Sequence, residues 1–176
     1  WAGHARWAGG GITPERNAHP LDNAETSDAA RADAARAGGE PFVRAALNGD
    51  IDNHADLRAL EALHISAEIT TDAKVIPALI SRRIAAGTDA TEAFRASVAS
   101  FEGSVAIAAA IAEEPGRVYL ALRGRGQALY VGCVADVYVV AGDPSGLVDV
   151  APSYLRVDGE PVQEPVAPSR RSRLLA

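Results

Sequence analysis

Apolar residues in the middle of the chain recur at the three- and four-residue spacing of amphipathic helices. A first helix is predicted over about residues 52–63, where leucines stand three positions apart. A second begins at Thr71 or Asp72, whose side chains suit a helix N-cap, and ends near Gly87. Asp89 opens a third helix, with small and aromatic residues on one side up to Phe101.

Short apolar runs separated by turn residues replace the helical spacing after residue 103. They predict antiparallel strands over four ranges: 105–111, 118–122, 128–131 and 137–140. Several of these runs are apolar throughout, which is typical of strands covered on both faces. Upstream, residues 42–47 predict one more strand, closed by a tight turn at Asn48-Gly49. Helices followed by strands favour an α+β fold over alternating βαβ units.

Composition narrows the classes of function. With 17 basic and 23 acidic residues the net charge is −6, which gives neither a basic footprint for nucleic acid nor a polybasic membrane signal. No apolar run approaches the roughly 18 residues of a transmembrane helix. The single cysteine excludes an internal disulfide and fits a reducing cytoplasm. The histidines lack ligand-like spacing, so neither a metal nor another cofactor is expected.

Four motifs follow one another along the first half of the chain. They are Gly3-His4-Ala5-Arg6-Trp7-Ala8, Asn17-Ala18-His19-Pro20, Leu47-Asn48-Gly49 and Thr71-Asp72-Ala73. In this order they resemble the glutamine-binding half of class II glutamine amidotransferases, most closely the glutaminase domain of the glutamine–fructose-6-phosphate aminotransferase type. The resemblance implies a partial four-layer αββα sandwich with antiparallel sheets, the fold of N-terminal-nucleophile hydrolases.

The same resemblance implies a division of the chain. Residues 1–160 would form the amidotransferase domain, lacking its N-terminal strands. Residues 22–41 are mostly polar and Ala-rich where the family has a shorter connection, so a surface insertion is expected there. Residues 161–176 combine proline and arginine with little apolar pattern, which predicts a linker or tail.

The resemblance also implies roles for five residues in binding and cleaving glutamine. Arg6 would pair with the α-carboxylate through two parallel hydrogen bonds, and Trp7 would lie on a loop that closes over the substrate. Asp72 would accept the α-ammonium group. The Asn48 side-chain amide and the Gly49 N–H would form an oxyanion hole for the tetrahedral intermediate.

Each of these residues has an ordinary structural interpretation as well. A surface arginine at Arg6, a core tryptophan at Trp7, an Asn-Gly turn and a helix cap at Asp72 would leave the same letters in the sequence. His19 is expected to make a structural hydrogen bond and not to act as a catalytic base.

The family's nucleophile is what this sequence does not supply. Family members use an N-terminal cysteine, whose own α-amine takes the thiol proton. Here the first residue is Trp1, and Cys133 lies in an apolar run that predicts a buried, unreactive strand residue. The chain is therefore expected to carry the glutamine-binding site without the nucleophile and to be inactive by itself.

The function expected from the resemblance is the release of ammonia from glutamine for amino-sugar synthesis, from fructose 6-phosphate to glucosamine 6-phosphate. The partners would be glutamine and a sugar-phosphate synthase domain beyond residue 176, through which any homo-oligomer would form. Two alternatives stay open. One is another class II amidotransferase, and the other is a degenerate binding or regulatory module. The altered motifs Trp7-Ala8-Gly9-Gly10-Gly11 and Thr71-Asp72-Ala73-Lys74 slightly favour the module.

Overall fold

Two antiparallel sheets form the framework of the molecule. The computed structural model describes residues 17–24 and 42–157. The first sheet has the strand order β1-β2-β3-β4, and the second has the order β6-β5-β7. The strands are β1 Leu21–Asp22, β2 Val43–Ile51, β3 Gly103–Ile111, β4 Tyr119–Arg123, β5 Leu129–Val134, β6 Val137–Ala141 and β7 Tyr154–Val157.

Helices and a 3-10 turn accompany the sheets, and side chains cap that turn and the third helix. The helices are α1 His54–Leu60, α2 Val75–Ala85, α3 Ala90–Ser100 and α4 Ser145–Val148. A single 3-10 turn, Asp72–Lys74, leads directly into α2, and the Thr71 hydroxyl caps this turn by accepting from the N–H of Ala73. The Asp89 carboxylate caps α3 in the same way, by accepting from the N–H of Glu92. The predicted helix start at Asp89 is therefore confirmed, whereas Thr71 caps the 3-10 turn and α2 itself begins at Val75, with Lys74 as its N-cap.

The main core lies between one face of the first sheet and helices α2 and α3. Alternate residues of β2 and β3 point into this core because successive strand side chains face opposite ways. The buried strand residues are Val43, Ala45, Leu47, Ile51, Val105, Ile107, Ala109 and Ile111, and the helices and their ends contribute Val75, Ile76, Leu79, Ile80, Phe94 and Phe101. The opposite face of β2 carries the exposed side chains of Arg44 and Asn48.

The strand pairing corrects two of the predictions. The predicted turn at Asn48-Gly49 is wrong, because β2 continues through both residues and stays paired with β3 as far as Ile51. The predicted meander is divided between the sheets, since β3 pairs with β4 whereas β5 pairs with β6. Strand β7, which no apolar run predicted, completes the second sheet against β5.

The α+β class is confirmed by this combination of helices and antiparallel sheets. Asp22 pairs with Arg44. The first residue of the expected insertion therefore belongs to strand β1. Residues 25–41 lie outside the described part of the chain. Among the helices that are described, none is both long and apolar enough to cross a bilayer.

Candidate functional site

Asn48 and Gly49 lie within β2, on the stretch that follows its short pairing with β1. Asn48 is exposed and stands opposite Ala106 of β3, and Gly49 stands opposite Val105. The backbone φ angle of Gly49 is +111°, and a Cβ built there would lie 1.9 Å from the carbonyl oxygen of Ser104. Only glycine can occupy this position, because any side chain would collide with the backbone of β3.

The backbone N–H groups along this edge of β2 have different partners. Strand β1 covers β2 only as far as Ala45. Beyond it, the N–H of Leu47 donates to Nδ1 of His19 at 3.2 Å, and the N–H of Ile51 donates to Oδ2 of Asp72 at 2.7 Å. Because N–H directions alternate along a strand, the intervening N–H of Gly49 faces the same edge.

The Asn48 side-chain amide belongs to the residue before Gly49 and is exposed. It makes no hydrogen bond with the residues that the structure describes. Gly142, directly after β6, lies close to it, since a Cβ added at Gly142 would be 3.6 Å from Nδ2 of Asn48. An exposed amide beside a backbone N–H is the kind of donor pair that stabilises a developing oxyanion.

Asp72 binds the same strand at Ile51, which is three residues after Asn48. Besides accepting from Ile51, its carboxylate accepts from the Thr71 hydroxyl at 3.3 Å. Thr71 is the N-cap of the following 3-10 turn, so the interpretation of Asp72 as that cap is wrong. Asp72 is half-buried, and an ionised carboxylate has about four acceptor sites, so it retains capacity for a further donor.

The segment of residues 17–24 holds these parts in place. Asn17 is buried, and its side-chain amide both donates to the Thr70 hydroxyl at 2.8 Å and accepts from the Thr70 N–H at 3.1 Å. The buried Lys74 donates to the carbonyl oxygens of Asp22 at 2.6 Å and Ala24 at 2.8 Å. Sequence reasoning gave His19 a structural hydrogen bond without its partner, and gave Asn17 and Lys74 no contact at all.

Three further residues from the sequence analysis are Arg6, Trp7 and Cys133. Arg6 and Trp7 lie outside the described residues. Cys133 lies on β5 as expected, but the prediction that it is buried is wrong, because it is half-exposed and its thiol donates to the carbonyl of Ala135 at 3.3 Å. Cys133 lines a small cavity of about 90 Å³ on the second sheet, which includes neither Asn48 nor Asp72.

Asp143, the residue after Gly142, carries a negatively charged carboxylate. The hydroxyl of Ser145 donates to the Asp143 carboxylate, and so does the Ser145 N–H at 2.8 Å. These two hydrogen bonds lower the pKa of Asp143, so the carboxylate is ionised at neutral pH. In the described residues no group of three or more His, Cys, Asp or Glu side chains could hold a metal ion.

Curated relatives match the chain over most of its length. A glutamine–fructose-6-phosphate aminotransferase (isomerizing) from Bordetella pertussis is 32% identical over 161 residues, which is 90% of this chain and 24% of the relative. The protein of the same name from Bacillus thuringiensis subsp. konkukian is 28% identical over 88% of this chain and 23% of its own. That from Sulfurisphaera tokodaii is 34% identical over 62% of this chain and 16% of its own. The chain thus spans about a quarter or less of these relatives.

Solved structures share the fold at lower sequence identity. The allosteric regulatory enzyme of purine biosynthesis superimposes with a TM-score of 0.64 at 24% identity, covering 87% of this chain and 30% of that chain. Glutamine phosphoribosylpyrophosphate amidotransferase from B. subtilis gives 0.61 at 21% identity, with 89% and 32% coverage. No family model matches the chain. Sequence similarity over nine tenths of its length and this shared architecture show that the chain belongs to the class II glutamine amidotransferase domains, with the N-terminal-nucleophile hydrolase fold.

Proposed function

We propose that the chain forms the glutamine-binding part of an amidotransferase that releases ammonia from glutamine for amino-sugar synthesis. The observation that carries the proposal is the exposed Asn48 amide next to Gly49, a position where a Cβ would lie 1.9 Å from the Ser104 carbonyl oxygen. An ordinary Asn-Gly turn would end the strand. Here both residues lie inside a paired strand, and only glycine fits at position 49. Two donors on adjacent residues suit a substrate carbonyl that becomes negatively charged.

The chemistry of amide hydrolysis explains why this pair would matter. Attack of a thiolate on the glutamine side-chain amide places a negative charge on the former carbonyl oxygen. The Asn48 Nδ2–H and the Gly49 N–H would donate to that oxygen without reorganisation at the moment of reaction. Collapse of the intermediate then releases ammonia and leaves a glutamyl thioester, which water hydrolyses.

Asp72 would hold the amino end of the same glutamine. Its carboxylate is fixed by the Ile51 N–H at 2.7 Å, so its orientation is set before the substrate arrives. A remaining lone pair would accept from the α-ammonium group as a charge-assisted hydrogen bond. Arg6 and Trp7 are proposed to bind the α-carboxylate and to cover the substrate.

The remaining parts of the reaction belong to the complete protein. The attacking thiolate would come from an N-terminal cysteine that the 176-residue sequence does not include. The ammonia acceptor is proposed to be fructose 6-phosphate, bound by a synthase domain, because relatives named for that substrate match up to 90% of the chain. A cytoplasmic location, which the single cysteine suggested, is part of the same proposal.

The test is a measurement of glutamate release and of glucosamine 6-phosphate formation by the complete protein. Both products are expected with glutamine, and the sugar product is expected with ammonium salts alone. Sugar-phosphate synthesis from ammonia without any glutamate release from glutamine would contradict the proposed role of this chain.

A non-catalytic glutamine-binding module is the second candidate, and Lys74 favours it. Lys74 ends the altered motif Thr71-Asp72-Ala73-Lys74, and its side chain binds the carbonyls of Asp22 and Ala24. This Lys74 contact is structural and does not displace the Asp72 carboxylate from the Ile51 N–H. Saturable glutamine binding by the complete protein without turnover would identify such a module.

A further inference from the structure

Beyond the end of β1, the backbone N–H groups on this edge of β2 need acceptors from other parts of the chain. The β1 pairing ends at Ala45, although β2 continues to Ile51. An unpaired buried N–H costs about 1–3 kcal/mol, so the next N–H on this edge, that of Leu47, requires a partner. Nδ1 of His19 is that partner, at 3.2 Å.

His19 therefore replaces a strand carbonyl with an imidazole nitrogen. Accepting at Nδ1 means that this nitrogen carries no proton, so the proton of the neutral ring is on Nε2. The Leu47 N–H that the ring accepts from is one residue before Asn48 and two residues before Gly49. On the far side, Asp72 takes the Ile51 N–H at 2.7 Å. The Gly49 N–H thus lies between two N–H groups that side chains hold in place.

The chain fastens His19 from both directions. Asn17 binds the backbone and side chain of Thr70 through both atoms of its amide. Asn23 donates to the Ser81 hydroxyl at 2.8 Å and accepts from the Val43 N–H at 2.8 Å. These bonds connect the segment of residues 17–24 to the helical layer and to the start of β2, which restricts the position of the His19 ring.

We propose that His19 is a positioning residue for the oxyanion donors: by accepting from Leu47, it sets the place of the Asn48 amide and the Gly49 N–H. The inference rests on the proposed function for its effect on catalysis, although the hydrogen bond itself does not. His19 touches no reacting atom in this scheme. Its contribution appears in the transition state, where donor placement matters most.

Two substitutions separate positioning from general stability. His19→Asn keeps an acceptor near the place of Nδ1, whereas His19→Gln places its amide near Nε2 and leaves Leu47 without an acceptor. In the complete protein we expect His19→Gln to lower the glutaminase kcat about 10- to 100-fold with little change in KM. His19→Asn is expected to restore most of kcat. Equal losses for both variants, or a loss confined to KM, would overturn the proposal.

Asp89→Ala is the matched control, because it also removes a side-chain acceptor from a backbone N–H, that of Glu92 at the start of α3, and Asp89 does not hold the segment of residues 17–24. It should lower stability by a similar amount without lowering kcat. A second readout needs no activity: amide hydrogen exchange in the 176-residue chain should accelerate at Leu47 in His19→Gln and at Glu92 in Asp89→Ala. Unchanged exchange at Leu47 would overturn the proposal. If exchange responds as expected but the wild-type protein releases no glutamate, the proposed function fails and the positioning contact stands.

Discussion

Asn48 contributes an exposed side chain whose amide no described residue uses, so its removal tests chemistry apart from folding. Asn48→Ala in the complete protein is expected to lower the glutaminase kcat about 10²- to 10³-fold, because one oxyanion donor is lost. Stability should stay within about 0.5 kcal/mol, as for other surface substitutions. Steady-state kinetics and thermal unfolding measure the two effects. Ammonia-dependent synthesis is the control and should survive; a normal kcat would remove the case for an oxyanion hole.

Gly49 is the opposite case, since its substitution is expected to damage the fold. Gly49→Ala places a Cβ 1.9 Å from the Ser104 carbonyl oxygen at a φ of +111°. Collision and backbone strain together should cost more than about 2 kcal/mol of unfolding free energy. Gly87→Ala is the control, because its φ is +95° but no atom lies within 4 Å of the added Cβ. Equal, small losses for both variants in denaturant unfolding would contradict the collision.

Asp72 combines a structural hydrogen bond with a proposed charge contact, and two variants separate them. Asp72→Asn keeps an oxygen for the Ile51 N–H but removes the negative charge. We expect it to raise KM for glutamine about 10- to 100-fold with little loss of stability, since a hydrogen bond to a charged group contributes about 1.5–3 kcal/mol. Asp72→Ala should also lower stability. If Asp72→Asn keeps the wild-type KM, the residue only holds β2.

The sequence indicates candidate site residues but not the contacts that hold them in place. Asn48, Gly49 and Asp72 were identified from motif order, and the structure places them on or against one strand edge. The bond from Leu47 to His19 crosses 28 positions, and that from Thr70 to Asn17 crosses 53. Such pairs leave no periodic signal in one sequence, because they depend on how the sheet is assembled.

Among the elements, those with local signals were predicted best. Helix α3 carries its cap and apolar stripe within a short window, so Asp89 marks its start correctly, and Thr71 marks the 3-10 turn that leads into α2. The Asn48-Gly49 pair was misread as a turn because the dipeptide is common in hairpins. Its true setting, inside a strand, depends on the pairing with β3 and is therefore a long-range property.

Helix α4 offers a test of local electrostatics. The pKa of Asp143 is lowered because the hydroxyl and N–H of Ser145 donate to its carboxylate. A carboxylate whose folded pKa lies below the unfolded value contributes stability above the unfolded pKa and loses it as the pH falls through the folded pKa. Ser145→Ala removes the hydroxyl donor. The pKa of Asp143 should then rise toward the ordinary value of 3.8, as followed by NMR titration. Titration at an unchanged pH in the variant would show that Ser145 is not the cause.

At the scale of the whole molecule, the described residues include the proposed oxyanion donors, whereas the family's N-terminal cysteine nucleophile is not among them. Its single cysteine, Cys133, lies on β5, and its thiol donates to the Ala135 carbonyl. The 176-residue polypeptide by itself is expected to release no glutamate from glutamine. A coupled glutamate assay measures this, with the Cys133→Ser variant as the control. Turnover by the wild-type chain that is lost in Cys133→Ser would reveal an unexpected nucleophile.

The steric situation of Gly49 determines what natural variation could reveal about this chain. If selection for activity were relaxed, the glycine would persist for many generations, because every replacement would damage the sheet before chemistry was affected. Asn48 would drift, since its exposed amide supports no described contact. A comparison of close relatives should therefore weigh position 48 and ignore position 49: retained asparagine would indicate continuing use in catalysis, whereas retained glycine would indicate only that the domain still folds.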